Sequence, residues 1–282
     1  MRKVALVLSS GGARGLVHIG VIEELLAKGY EISSVAGCSM GSLIGGIYAA
    51  GKLKEFREWM KTINKRRMLE LSDLSLSLNH IVKGERIIDA LKEIVPDVKI
   101  EDLPIPYCAV ATDWLHGNEV VFRSGSLFDA IRASISIPSF FSPVRRDGMI
   151  LIDGGIVNPI PLNRVERTEG DILMGVDVSG HDYKGESEMW QILEKRHKHD
   201  RSLKQIILDH LLPDGIEFNY VTLLTRTSDL MIRQNSLLMT QLMNPDILLD
   251  IQLKRYSIFD FDKSEKLIAI GRNHTRNMLK NL

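Results

Sequence analysis

Between residues 3 and 50 the chain alternates strand and helix signals at short intervals. Lys3 to Leu8 reads as a strand, Leu16 to Lys28 as a helix, Ser34 to Gly37 as a strand and Ser42 to Ala50 as a helix. Two neighbouring strands joined by a helix run parallel, because the helix carries the chain back to the edge from which the first strand began. A parallel sheet is covered on both faces, so its strands appear as unbroken apolar runs, as Val4-Ala5-Leu6-Val7-Leu8 does. The first helix carries Leu16, Ile19, Ile22 and Leu26 at helical spacing, with Glu23, Glu24 and Lys28 on the other side. The pattern predicts an α/β fold with a central, largely parallel sheet.

The rest of the chain extends that reading. Leu53 to Arg67 reads as a helix, and Glu85 to Val95 as another, stopped by Pro96. Tyr107 to Thr112 and Glu119 to Phe122 read as strands linked by a turn containing Gly117-Asn118. Leu127 to Ser134 is a short helix, and Met149 to Ile152 and Ile172 to Val178 are buried strands. Glu186 to Leu212, Asp229 to Met243 and Lys263 to Leu279 are helical stretches, with a strand at Ile247 to Ile251. The alternation from Leu71 to Leu78 fits either a strand or a loop over a site. A length of 282 residues allows one large domain or two small ones. With no repeat, low-complexity segment or linker, residues 1–282 read as a single domain with a helical C-terminal part from about residue 186.

Bulk properties exclude several classes. Hydrophobic residues make up 44% and charged residues 26%, as in an ordinary globular chain. The 36 basic residues balance 36 acidic ones, so no net field draws the chain to nucleic acid. Two cysteines, Cys38 and Cys108, form neither a disulfide framework nor a zinc pattern, and suit a reduced, cytoplasmic protein. Met1-Arg2-Lys3 and the short apolar run after it resemble the start of a signal peptide, but the run breaks into Gly11-Gly12 and reads as a buried strand. No apolar stretch is long enough to span a bilayer, so the expected protein is soluble, with peripheral membrane contact at most. The cluster from Glu194 to Arg201, with His197 and His199, reads as a solvated helix face and not as a metal site.

Within this framework Gly37-Cys38-Ser39-Met40-Gly41 lies between a strand and a helix. A Gly-x-Ser-x-Gly so placed is a nucleophile elbow: the sharp turn lifts the serine clear of the sheet, and small flanking residues relieve crowding. A serine nucleophile needs donors for an oxyanion and a base. Ser9-Ser10-Gly11-Gly12-Ala13-Arg14-Gly15 follows the first strand and opens the first helix, where successive N–H groups form an anion-binding nest. A nucleotide reading fits poorly, since Ser10 replaces the first glycine of Gly-x-Gly-x-x-Gly and no Gly-Lys-Ser/Thr is present. Two bases suggest themselves. Asp153 ends an apolar strand before Gly154-Gly155, at the sheet edge where α/β proteins place their sites, and His181 follows the Val176-Asp177-Val178 strand end.

The glycine loop, the elbow, Ala133-Ser134-Ile135-Ser136-Ile137-Pro138 and Asp153-Gly154-Gly155 occur in an order and approximate spacing that resemble the patatin-like phospholipases. The likeness runs from residue 3 to about 180, with a looser echo near Asp260-Phe261 and the last helix. It implies a three-layer α/β/α sandwich and a lipid acyl hydrolase of phospholipase A or lysophospholipase type, needing neither metal nor cofactor. Ser39 would be the nucleophile and Asp153 the base, with no histidine between them. Gly11, Gly12, Ala13 and Arg14 would surround the oxyanion, and Gly37, Gly41, Gly154 and Gly155 would serve the turns. Arg14 could face a lipid phosphate or brace its own loop. Ser10 departs from the glycine common in the family, and would strain the loop if that position required positive φ. The alternative in the same fold is a catalytically weak protein that binds acyl chains or serves regulation.

Overall fold

The computed structural model describes residues 2–71, 84–138, 140–179, 220–253 and 255–280. The chain opens with β1 (Lys3–Leu8), a 3-10 turn (Gly12–Leu16), α1 (Val17–Ala27), β2 (Glu31–Cys38) and α2 (Met40–Ala49). It continues through α3 (Leu53–Met60), α4 (Lys65–Leu71), α5 (Glu85–Lys92), β3 (Tyr107–Asp113), β4 (Asn118–Phe122) and α6 (Leu127–Ser134). The last elements are β5 (Val144–Arg146), β6 (Met149–Asp153), β7 (Ile172–Asp177), α7 (Tyr220–Met243), β8 (Ile247–Asp250) and α8 (Ser264–Lys280).

The strands form one mixed sheet, hydrogen-bonded in the order β5-β6-β3-β2-β1-β7-β8, with β4 also paired to β3. Its centre, from β3 to β8, is parallel, and β4, β5 and β6 are antiparallel additions. Alternate residues of the central strands feed two cores. Leu6 and Leu8 of β1 join a large cluster with α1, α2 and α8, whereas Val7 faces a smaller one with Ala36, Cys108 and Leu173, covered by Ile160, Leu162 and α7. The sheet is thus buried on both faces, and the expected layering is present.

One register detail positions the site. Val110 of β3 pairs with Cys38 on one edge and with Val121 on the other, and the next residue, Ala111, pairs with Asp153 and Val120. Because β4 runs unbroken along its edge, β2 and β6 must share the opposite edge end to end. They run in opposite directions, so their carboxyl ends meet at adjacent residues of β3.

Departures from the sequence reading are local. The helix expected over Leu53 to Arg67 breaks after Met60 and restarts at Lys65, because the Asn64 side chain accepts the Arg67 N–H at 2.9 Å and caps a new helix. The first helix starts earlier, as the 3-10 turn at Gly12. Strand β5 carries no apolar alternation in its three residues and so gives no signal in the sequence. Residues 72–78, His181, the stretch read as helix over 186–212 and the charge cluster fall outside the described residues.

Candidate active site

Ser39 stands between β2 and α2 with φ 53° and ψ −121°, a conformation that costs a non-glycine residue on the order of 1–3 kcal/mol. The surroundings hold it there. Its N–H donates to Ser134 Oγ at 2.9 Å, and Ser134 Oγ donates to the Val110 carbonyl at 2.6 Å. Its carbonyl accepts the Ser42 hydroxyl at 2.7 Å and the Leu43 N–H at 3.1 Å. The elbow glycines are needed for space: a Cβ on Gly37 would lie 2.4 Å from the Gly41 carbonyl oxygen, and one on Gly41 would lie 2.1 Å from that of Leu8. Ser134 belongs to a motif visible in the sequence, but its hold on the elbow N–H is legible only in three dimensions.

Asp153 arrives from the end of β6, opposite Cys38 across the shared β3 edge. Its N–H donates to the Ser136 carbonyl at 2.9 Å, its carbonyl accepts Thr112 Oγ1 at 3.0 Å, and its Oδ1 accepts the Gly155 N–H at 2.8 Å. Burial raises its pKa from 3.8 to about 6, while the Ser39 hydroxyl and the Gly155 N–H pull the other way. Oδ2 is buried without a donor at full hydrogen-bonding geometry. The Ser39 hydroxyl thus lies close enough to the Asp153 carboxylate to favour its charged form. Neighbouring Cys38 is buried, and burial beside Asp153 pushes its thiol well up, away from a reactive thiolate.

The glycine loop completes the surroundings. Its positive φ falls on Gly12, at 56°, and Ser10 is not among the left-handed residues, so serine there brings no strain. Gly12 lines the same cavity as Ser39, and the N–H groups of Gly11 and Gly12 have no protein acceptor among the described residues. Ala13 differs from its expected role, because its N–H donates to the Ile258 carbonyl at 2.8 Å and is not open toward Ser39. Arg14 Nε reaches back to the Gly11 carbonyl at 3.4 Å, which fits bracing of its own loop. Nothing in the local sequence marks Ile258, which arrives from the segment between β8 and α8.

Beside Ser39 and Gly12 lies a cavity of about 70 Å³. Apart from Ser39 its lining is apolar, with Phe56, Trp59, Met60 and Leu91 along it and Phe140 and Phe259 in ring contact, centroids 4.9 Å apart. No charged side chain lines it, and its only hydrogen-bonding side chains are Ser39 and Trp59.

The model of the patatin-like phospholipase family matches residues 6–165, the stretch that holds the elbow, the glycine loop and Asp153. The chain belongs to the patatin-like phospholipase family. An uncharacterized NTE family protein of Mycobacterium tuberculosis is 49% identical over 178 residues, which cover 63% of this chain and 49% of that protein. Human patatin-like phospholipase domain-containing protein 6 is 33% identical over 207 residues, 68% of this chain and 15% of its own length. The Drosophila melanogaster neuropathy target esterase sws is 30% identical over 206 residues, 68% of this chain and 14% of its own. The aligned part is thus half or less of each relative's length. VipD from Legionella pneumophila superposes with a TM-score of 0.49 at 15% identity, over 99% of this chain and 67% of that one. Among the described residues of this patatin-like chain no helix is long and apolar enough to cross a membrane.

Proposed function

We propose that the chain is a serine esterase that hydrolyses acyl esters of lipids, with Ser39 as nucleophile and Asp153 as general base. The observation that carries this reading is that the ends of β2 and β6, at adjacent residues of β3, bring a strained, buried serine beside a buried aspartate, with the serine lining an apolar cavity. Asp153 takes the Ser39 hydroxyl proton as Oγ attacks the ester carbon, and the negative charge on the carbonyl oxygen faces the N–H groups of Gly11 and Gly12. Collapse expels the alcohol, which leaves with the proton from Asp153, and the acyl group stays on Ser39. Water, deprotonated by Asp153, then releases the fatty acid and restores Ser39. A base with a pKa of about 6 is stronger than an ordinary aspartate. Oxyanion donors, each worth roughly 2.7–4 kcal/mol, supply much of the remaining barrier reduction.

The lining points to long hydrocarbon acyl groups, with the head group outside the cavity and the protein at a membrane surface only peripherally. Residues 1–282 are taken as one patatin-like unit in the cytoplasm. The test is release of fatty acid from lysophospholipids and monoacylglycerols of increasing chain length, beside a short p-nitrophenyl ester. Wild type should prefer the long chains, and Ser39→Ala and Asp153→Asn should each lose activity on all of them while keeping the fold. Hydrolysis surviving in either variant would overturn the assignment. The engagement of Ala13 by Ile258 favours a second reading, an acyl-chain-binding protein that turns over poorly. That reading predicts tight binding of long-chain fatty acid with slow alcohol release and no burst.

A further inference from the structure

One titratable side chain near the site takes no part in the chemistry above. His18, in the first turn of α1, is fully buried, and its Nε2 lies 3.0 Å from the Ser9 carbonyl oxygen. A carbonyl only accepts, so Nε2 carries the proton and donates. Nδ1 is then a lone pair, buried without a partner. Burial drives the pKa of His18 down to about 4, so the ring is neutral at physiological pH despite the nearby charge of Asp177. An apolar side chain would avoid the unpartnered nitrogen, and what a histidine adds is the bond to Ser9.

That bond holds one end of a strut. The peptide joining Ser9 and Ser10 has its carbonyl fixed by His18, and its N–H donates to the Pro159 carbonyl at 2.9 Å. Pro159 belongs to the turn that follows Asp153-Gly154-Gly155. Ser9 is tied further: its hydroxyl donates to the Ser10 carbonyl at 3.0 Å and accepts the Val178 N–H at 2.9 Å. The Ser9 carbonyl also sits against the elbow, where a Cβ on Gly41 would come within 2.7 Å of it. The next two peptides after the strut present the Gly11 and Gly12 N–H groups. We infer that His18 is a positioning residue, which sets the direction of the Gly11 and Gly12 N–H groups by fixing the Ser9–Ser10 peptide between α1 and the Asp153 turn. The inference rests on the esterase reading for its kinetic consequence and on the buried geometry alone for the strut.

The test has a structural and a kinetic arm. In wild-type protein at pH 7.5, nitrogen NMR of the His18 ring should show the neutral Nε2–H tautomer. The Nδ1–H tautomer would overturn the inference, since Nε2 could not then donate to Ser9. For the kinetic arm, His18→Leu keeps the bulk and loses the donor, and His18→Gln places an amide N–H near the former Nε2. His18→Leu should lower kcat by about 10- to 100-fold, a part of the 10²–10³ that losing one oxyanion donor costs, with KM changed less than about threefold. It should weaken a long-chain trifluoromethyl ketone, whose adduct carries an oxyanion, by a factor matching the fall in kcat/KM. His18→Gln should recover most of both losses. A folded His18→Leu variant with unchanged kcat, or one in which KM alone rises, would overturn the positioning role. An inert wild type would instead refute the esterase reading, and the tautomer alone would then decide whether the strut exists.

Discussion

A carboxylate buried without a cation beside it costs the fold stability, and the cost at Asp153 is measurable. Its pKa stands at about 6 in the folded chain against an ordinary value of 3.8, a difference of about two units. At about 1.36 kcal/mol per unit this amounts to about 3 kcal/mol against the folded state when the carboxylate is ionised. The sign follows from the raised pKa: the contribution is most favourable below pH 4, where the group is protonated folded and unfolded, and is lost as pH rises through about 6. Asp153→Asn removes the ionisation and keeps the size, an oxygen for the Gly155 N–H and a donor that can face Ser39. It should therefore abolish activity and yet stabilise the protein at pH 8 by about 2–3 kcal/mol, seen as a Tm higher by about 4–10 °C. By pH 4.5 the advantage should shrink to about a third of that value. Reversible urea or thermal unfolding of the two proteins at both pH values measures it. Equal stability at pH 8, or an advantage independent of pH, would refute the claim that Asp153 sits as an ionised carboxylate in a poorly solvating site.

Other expectations follow from the same geometry. Activity on a short ester should rise about tenfold between pH 5 and pH 7 as Asp153 ionises, and a flat profile would exclude it as the base. Ser134→Ala removes the acceptor for the Ser39 N–H and should cost about 1–3 kcal/mol of stability, with a fall in kcat that Ser134→Thr partly restores. Gly41→Ala should fail to give soluble folded protein, because its Cβ would lie 2.1 Å from the Leu8 carbonyl oxygen; normal expression and Tm would contradict the tight approach. Met60→Trp, which fills part of the apolar cavity, should shift preference from long to short acyl chains, read as a change in their kcat/KM ratio.

Much of this was readable from residues alone, for identifiable reasons. A doubly covered parallel strand must be apolar throughout, so β1 and β7 announce themselves. An elbow needs small residues on both sides of its serine, so Ser39 is marked by Gly37 and Gly41. Asp153 is marked by the end of an apolar strand and the glycines after it, though its adjacency to Ser39 depends on β2 and β6 sharing one edge of β3, a register that no local pattern carries. Features that depend on contacts between distant segments stayed hidden. Ile258 takes the Ala13 N–H from more than two hundred residues away, and His18 reads as an ordinary member of an amphipathic helix until its Nε2 is found against Ser9. The Asn64 cap was locally visible, but an apolar pattern continuing past it masked the break between α3 and α4.

The central claim is that Ser39 is an activated nucleophile served by Asp153. Covalent labelling by a fluorophosphonate, followed by peptide mass mapping, tests it most directly, because phosphonylation requires an activated hydroxyl beside oxyanion donors. One adduct per chain is expected, on Ser39, lost in Ser39→Ala and formed at least a hundredfold more slowly in Asp153→Asn. An adduct on another residue, or labelling that proceeds at the wild-type rate in Asp153→Asn, would contradict it.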